Sequence, residues 1–330
     1  MAQTVVEKKN EKKKGVDAKA ILSKFGALFG LLLLIIILSL LTDRFLTINN
    51  FMNIANQASI NALLALGVLL PILTAGIDLS IGAILGFSVM MMGLVVVNMG
   101  ANPIIGILVC LAVGAGFGLI NGLLLTKLRL PHPFISTLGT MNVARALALI
   151  ITGAAPIAGF PFLIQYFGSG KVANVIPFSF VLVIIVAVGL HMFLNHTMTG
   201  RYIYAIGGNK EAARLSGINV DRILIIVYSI SGLMAGLAGL VLVGRVNSAF
   251  PLAGLGYELD AIAAVIIGGA SLFGGVGTVW GTLIGALIIA VLRNGLNLLG
   301  VAADLQLAFI GVVIIAAVYV DVLRQRPRKN

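Results

Sequence analysis

The sequence predicts an all-α polytopic membrane protein with about ten transmembrane helices, and three observations carry that prediction. Of 330 residues, 60% are hydrophobic and only 10% charged, against about 25% charged in an ordinary soluble domain. The apolar residues fall in runs long enough to cross a bilayer, which takes about 20 residues each. The charges gather mainly between and outside those runs. Sixty percent of 330 residues supplies material for about ten crossings. This composition excludes a soluble enzyme, a disordered chain and a disulfide scaffold. A porin-like barrel is excluded as well, because its strands alternate apolar and polar residues.

The first element is a basic tail, residues 1–24, carrying Lys8, Lys9, Lys12, Lys13, Lys14, Lys19 and Lys24. It is too polar for a secretory signal, and no small-residue cleavage site follows the first apolar run, so that run is expected to stay as a span. Spans are predicted at 25–42, 51–75, 80–98, 103–126, 134–153, 177–195, 222–245, 259–275, 277–298 and 304–323. They form a transmembrane region, 25–323, interrupted by a polar loop at 196–221. A second basic tail, 324–330, closes the chain with Arg324, Arg326, Arg328 and Lys329.

The breaks use familiar chemistry. Pro103 and Pro177 stand at or near the first helical position, where a missing N–H costs little. Pro131 and Pro133 hold the approach to the fifth span extended. In the stretch AGIDLS, Asp78 or Ser80 can cap the third span by accepting from its free N–H groups. The second and third spans are joined either as a hairpin or as one helix interrupted at membrane depth, and Pro71 allows a kink there. Glycines grouped at 114, 116, 118 and 122, at 232, 236 and 239, and at 268, 269, 274, 275 and 277 predict close helix contacts.

Topology follows from charge. The net charge of +11 reflects span-flanking lysines and arginines rather than a nucleic-acid surface. With ten spans both basic tails share one side, the cytoplasmic one. Lys127 and Arg129, and then Arg201, Lys210, Arg214 and Arg222, fall on the same side, which brings 17 of the 22 basic residues there. The expected location is a bacterial inner membrane. A weak internal match, an Asp followed eight residues later by Gly at Asp78 and Asp260, fits an inverted five-plus-five repeat.

Candidate functional residues are few. There is no phosphate-binding G-x-x-x-x-G-K-[ST] loop. Cys110 is alone, so no internal disulfide can form, and His132, His191 and His196 lack zinc-ligand spacing. No cofactor is expected on this chain. Asn53, Gln57 and Asn61 recur at i, i+4 and i+8 and so line one face of the second span. With Thr140, Asn142, Asn294 and Asn297 they are candidates for lining a polar path, although such amides also serve as interhelical hydrogen bonds. Asp78 and Arg145 are structural charges within the membrane. Glu258, Asp260 and Asp304 are candidates for an exposed acidic rim. In the polar loop, Asn209 can cap a short helix that Gly217 terminates. A helix that short needs something to dock on. An ordinary connecting loop has a similar composition.

Glu211, Ala212 and Ala213, followed after three residues by Gly217, match the Glu-Ala-Ala-x3-Gly signature of permease subunits from binding-protein-dependent ABC importers. Further stretches resemble the monosaccharide subfamily of those permeases. They are 47–50 (TINN), 76–82 (GIDLSIG), 137–141 (TLGTM) with Arg145, 200–209 (GRYIYAIGGN), 256–265 (GYELDAIAAV) and 294–301 (NGLNLLGV). The likeness covers the chain after about residue 25 and is nearest to the ribose-transporting members. Residues 131–135 (PHPFI) depart from them, which leaves the sugar open.

The resemblance implies a type II-like importer permease that is not itself an enzyme. It implies a second copy of the chain, a separate ATPase with two nucleotide domains that holds ATP and Mg, and a periplasmic sugar-binding protein touched by the acidic rim. It assigns Asn209, Lys210, Glu211, Ala212, Ala213, Arg214 and Gly217 to ATPase coupling. The alternative is an ion-coupled secondary transporter of a small polar solute, which the near absence of midplane charge disfavours.

Overall fold

The computed structural model describes residues 18–325. Of the two expected basic tails, residues 1–17 and 326–330 lie outside the described residues. The helices are α1 (Ala18–Leu41), α2 (Ile48–Leu73), α3 (Ile81–Gly93), α4 (Pro103–Thr126), α5 (Pro133–Thr152), α6 (Phe162–Ser169) and α7 (Phe178–His196). They continue with α8 (Met198–Gly208), α9 (Lys210–Leu215), α10 (Val220–Val246), α11 (Tyr257–Ile267), α12 (Val279–Leu298) and α13 (Ala303–Gln325). α3 runs on through a π-helical stretch, Leu94–Asn98. Seven of these helices are long and apolar enough to cross a membrane: α2, α3 with its π extension, α4, α5, α7, α10 and α12. Shorter apolar stretches lie in α1 (Gly26–Leu41) and α13 (Ala303–Tyr319).

One expected span is corrected. The run 259–275 is not one continuous helix: α11 stops at Ile267 after 11 residues, and the chain goes on in irregular form to Gly275, whose amide meets the Leu73 carbonyl at the end of α2. At 1.5 Å per residue α11 is about 16 Å long, half of a hydrocarbon core about 30 Å thick. Glycines at 268, 269, 274, 275 and 277 raise no polarity signal, yet each weakens a helix. The chain instead turns irregularly over 268–278 and satisfies its backbone locally, with the Ser271 amide donating to the Val276 carbonyl at 2.9 Å.

α2 and α10 form the centre. Every residue from Ala58 to Leu73 is buried, the behaviour of a helix apolar on all sides. Gly67 of α2 lies against Ser231 and Met234, while Gln57 and Asn61 share a cavity with Arg245, so the two helices run antiparallel. α4 packs antiparallel on α10 through glycines. A Cβ on Gly114 would stand 3.0 Å from the Gly236 nitrogen, and one on Gly232 would stand 2.8 Å from the Gly118 nitrogen. Such bare backbone contact replaces the hydrophobic driving force that lipid removes.

The relation between α2 and α3 is settled by direction. Gly239 of α10 packs on Leu85 and Val89 of α3, and Asp78 reaches Ser231, so α3 runs parallel to α10. α2 and α3 therefore oppose each other as a hairpin. Its second arm is non-helical over 74–80 and becomes helical only near the level of Ser231, well inside α10. Pro71 lies in the last turn of α2, its carbonyl accepting from the Thr74 and Gly76 amides at 3.0 and 2.9 Å.

The loop between α5 and α7 carries α6 and three two-residue strands, β1 (Ile157–Ala158), β2 (Lys171–Val172) and β3 (Ile176–Pro177). β1 pairs antiparallel with β4 (Ser248–Ala249), which follows α10, and β2 pairs with β3. At the opposite end of the bundle Arg129, Lys210 and Arg214 border one groove. Glu211 and Asp221 line the same groove.

Candidate translocation cavity and coupling surface

A cavity of about 160 Å³ lies between α2, α10, α11 and α12. Gln57 and Asn61 enter it from α2, Arg245 from α10, Tyr257 and Asp260 from α11, and Arg293 and Asn297 from α12. The i, i+4, i+8 ladder on α2 descends into it. Asn53 is exposed, Gln57 half-buried and Asn61 buried. Arg293 pairs with Asp260 at 2.6 Å, the aspartate side chain being 4% exposed. Gln57 Oε1 and Arg293 Nε are buried without a hydrogen-bond partner, which costs each its hydration.

Of the other path candidates Asn297 borders this cavity, and Asn294, Thr140 and Asn142 lie elsewhere. Asn294 is tied to Asn50 by two reciprocal amide hydrogen bonds of 2.8 and 3.0 Å. With both amides occupied, it fastens α12 to α2. Asn297 borders the cavity and accepts from Gln306 Nε2 at 2.8 Å. Thr140 donates to Asn121 Oδ1 at 2.6 Å, within a different polar group. Asn142 is exposed on α5 and donates only to the Leu138 carbonyl one turn back.

That second polar group is built on Asp78, which is wholly buried. Its Oδ1 accepts from the Ser80 amide at 3.0 Å and the Ser80 hydroxyl at 2.6 Å, and its Oδ2 accepts from Ser231 at 2.8 Å. Asn121 donates to Ser80 Oγ at 2.8 Å, extending the chain through Thr140 to α5. Ser80 is the N-cap of α3 but makes no side-chain cap bond. The expected capping by Asp78 or Ser80 is therefore corrected: their side chains bond to each other and to α4 and α10. Asp78 and Asp260 also hold different places, one before a helix and one inside its first turn.

α3 and α11 begin side by side. A Cβ on Gly82 would meet the Gly254 carbonyl and the Glu258 carboxylate, so only glycine allows this approach. Arg145 Nη1 holds the preceding loop by donating to the Pro251 and Ala253 carbonyls at 3.2 and 2.8 Å. Glu258 and Asp260, expected on an exposed rim, are buried at 9% and 3% exposure. α11 starts within the bundle, so the carboxylates that open it are enclosed by protein. Asp304, in the first turn of α13, is exposed.

Two short helices project at the end that carries the groove of Arg129, Lys210 and Arg214. Thr197 caps α8 by accepting from the Gly200 amide at 3.0 Å, and Asn209 caps α9 by accepting from the Ala212 amide at 2.9 Å. α9 ends with Gly217 at φ +83°, its amide donating to the Arg214 carbonyl while Ile218 donates to Ala213. This is the hydrogen-bond pattern of a left-handed helix stop. Lys210, Glu211, Ala212 and Arg214 are exposed, whereas Ala213 turns inward. Leu215 is 88% exposed. Glu211 and Arg214 stand 3.9 Å apart across solvent. Behind α9, Gly207 of α8 abuts the Leu73 carbonyl and Gly275, and the Gly275 amide donates to that carbonyl at 2.9 Å.

Sequence reasoning alone does not reach Arg245, Tyr257 or Arg293 as cavity residues, nor α8. An arginine within a span needs a partner, and that requirement is the available signal for Arg293.

A bundle of bilayer-length helices enclosing a polar cavity, with a capped helix pair projecting from one end, has the construction of a membrane permease. The chain belongs to the family described as branched-chain amino acid transport system / permease component, whose model matches residues 50–318. It is 46% identical over 314 residues to the ribose import permease protein RbsC of Escherichia coli (strain K12), covering 93% of this chain and 96% of that one. It is 45% identical to the ribose import permease protein RbsC of Bacillus subtilis (strain 168), over 96% of this chain and 98% of the relative. The D-allose transport system permease protein AlsC of Escherichia coli (strain K12) is 41% identical, over 96% and 97% of the two chains. No solved structure matches the chain.

Proposed function

We propose that this chain is the membrane-spanning subunit of an ABC importer for a monosaccharide, ribose or a similar sugar. The observation that carries the reading is near full-length similarity to ribose and allose permeases. Two copies form the channel in a bacterial inner membrane, with both termini cytoplasmic. A separate ATPase with two nucleotide domains binds ATP and Mg and hydrolyses the ATP, and a periplasmic sugar-binding protein delivers the sugar. Asp304 remains a candidate contact for that protein.

The division of labour has a physical reason. A neutral sugar gains nothing from the membrane potential, so uphill movement needs an external source of work. The exposed helix α9, with Lys210, Glu211 and Arg214 on its surface, supports docking of the ATPase there. Motion of α9 passes through α8 to the end of α2 at Leu73. Only a difference in sugar affinity between inward and outward states drives release.

The test is ATP-driven uptake of D-ribose into proteoliposomes holding this chain, the ATPase and the binding protein. Uptake persists when the proton gradient is collapsed at constant ATP. Loss of uptake under those conditions would favour an ion-coupled carrier instead.

A further inference from the structure

Of the seven bilayer-length helices, α4, α5 and α7 turn the most surface outward, less than a third of each being buried. The exposed side chains in the middle of α4 (Leu108, Leu119) and of α7 (Ile185, Val188) are apolar, as contact with lipid requires. α5 differs. Asn142 is the tenth of its 20 residues, which puts it about 15 Å from either end and near the centre of a hydrocarbon core about 30 Å thick. Among the described residues it is the one polar side chain exposed near the middle of a bilayer-length helix.

A single hydrogen bond ties that amide to its own helix, Nδ2 donating to the Leu138 carbonyl at 3.0 Å. Its second N–H and its Oδ1 acceptor have no partner among the described residues. Hydrocarbon offers them none, and an unmet polar group there is costly. The opposite face of α5 is already engaged, with Thr140 bonded to Asn121 at 2.6 Å.

A side-chain amide is its own complement, since it donates and accepts. The chain uses that property within one copy, where Asn50 and Asn294 exchange bonds of 2.8 and 3.0 Å. In a twofold pair, a residue beside the axis meets its own counterpart. Gly139 and Ala146 are exposed on the same side of α5 as Asn142, and a Cβ on Gly139 would meet nothing within 4 Å. Small residues at such places let two membrane helices approach closely enough for the amides to meet.

We infer that two copies of this chain meet along the outer face of α5, with Asn142 of each copy hydrogen-bonded to its counterpart across a twofold axis. The assignment rests on the two-copy permease reading above and deepens it by naming the face.

Cysteine cross-linking of the assembled importer in native membranes, without ATP, tests it. In a Cys110→Ala background, Asn142→Cys and Ala146→Cys on α5 are compared with Leu108→Cys on α4 and Ile185→Cys on α7 under mild oxidation. A disulfide needs Cα atoms within about 7 Å. A covalent dimer of twice the chain's mass therefore forms at one or both α5 positions, about tenfold faster than on α4 or α7. Asn142→Leu, of similar volume and suited to lipid, weakens self-association of the full chain in mild detergent by about tenfold, as expected for lost interhelical hydrogen bonds. An Asn142→Leu chain that associates as tightly as the parent overturns the inference. So does the lack of a covalent dimer at both α5 positions, whether one forms on α4, on α7 or nowhere, and Asn142 then faces lipid or a water-filled path. If light scattering still counts two copies in that importer, the permease reading stands; a single copy removes both.

Discussion

Arg293 on α12 and Asp260 on α11 meet at 2.6 Å inside the bundle, the carboxylate almost wholly enclosed. The pair closes one wall of the cavity and joins the half-length helix α11 to a full-length neighbour. Removing one partner leaves the other desolvated, which costs about 3–5 kcal/mol. Arg293→Leu therefore lowers the unfolding midpoint in mild detergent strongly, and Asp260→Leu added to it restores most of the loss. A midpoint unmoved by Arg293→Leu would contradict a desolvated pair.

The glycine seam between α4 and α10 gives a second expectation. Gly118→Val drives a side chain into the Tyr228 carbonyl and prevents close packing, so the yield of folded, monodisperse protein collapses. A Cβ on Gly116, two residues away, would meet nothing within 4 Å. Gly116→Ala should fold at least as well, since alanine favours a helix over glycine by about 1 kcal/mol. Size-exclusion profiles of the two variants decide the matter.

At α9, Asn209→Ala removes the cap on the Ala212 amide and destabilises that helix by about 1 kcal/mol, whereas Asn209→Ser retains an acceptor. Gly217→Val strains a residue held at φ +83°. Both Asn209→Ala and Gly217→Val are expected to lower sugar moved per ATP hydrolysed while bundle stability stays close to that of the parent. Transport stoichiometry measured beside the melting temperature checks this, and unchanged coupling in Gly217→Val would remove α9 from the mechanism.

Asp78 serves three donors, so replacements should rank by how many they still satisfy. Asp78→Asn keeps an acceptor for Ser80, and the Ser231 hydroxyl can reverse to accept. Asp78→Ala abandons all three buried donors, each unmet group costing about 1–3 kcal/mol. Thermal unfolding should order the forms parent, Asn and then Ala. Equal midpoints for the two variants would show that the hydrogen bonds contribute little.

Much of this architecture is legible because lipid imposes length and charge rules on sequence. The apolar runs locate α2, α4, α5, α7, α10 and α12 within a few residues, and Asn209 and Gly217 mark both ends of α9. Span 259–275 misleads because glycine counts as apolar while weakening a helix. Glu258 and Asp260 mislead for a related reason: two acids in a predicted helix start suggest a water-exposed turn, but α11 starts inside the protein. The polar residues share one alphabet with different tasks. Only three-dimensional pairing separates Asn294, bonded both ways to Asn50, from Asn61, which faces a cavity.

Gly207, Leu73 and Gly275 touch through main-chain atoms. Side-chain replacement can wreck that joint, yet offers no means of loosening or stiffening it by degrees. Variants selected for faster or slower turnover should therefore leave these three positions alone and collect in the surrounding side chains, where adjustment is gradual.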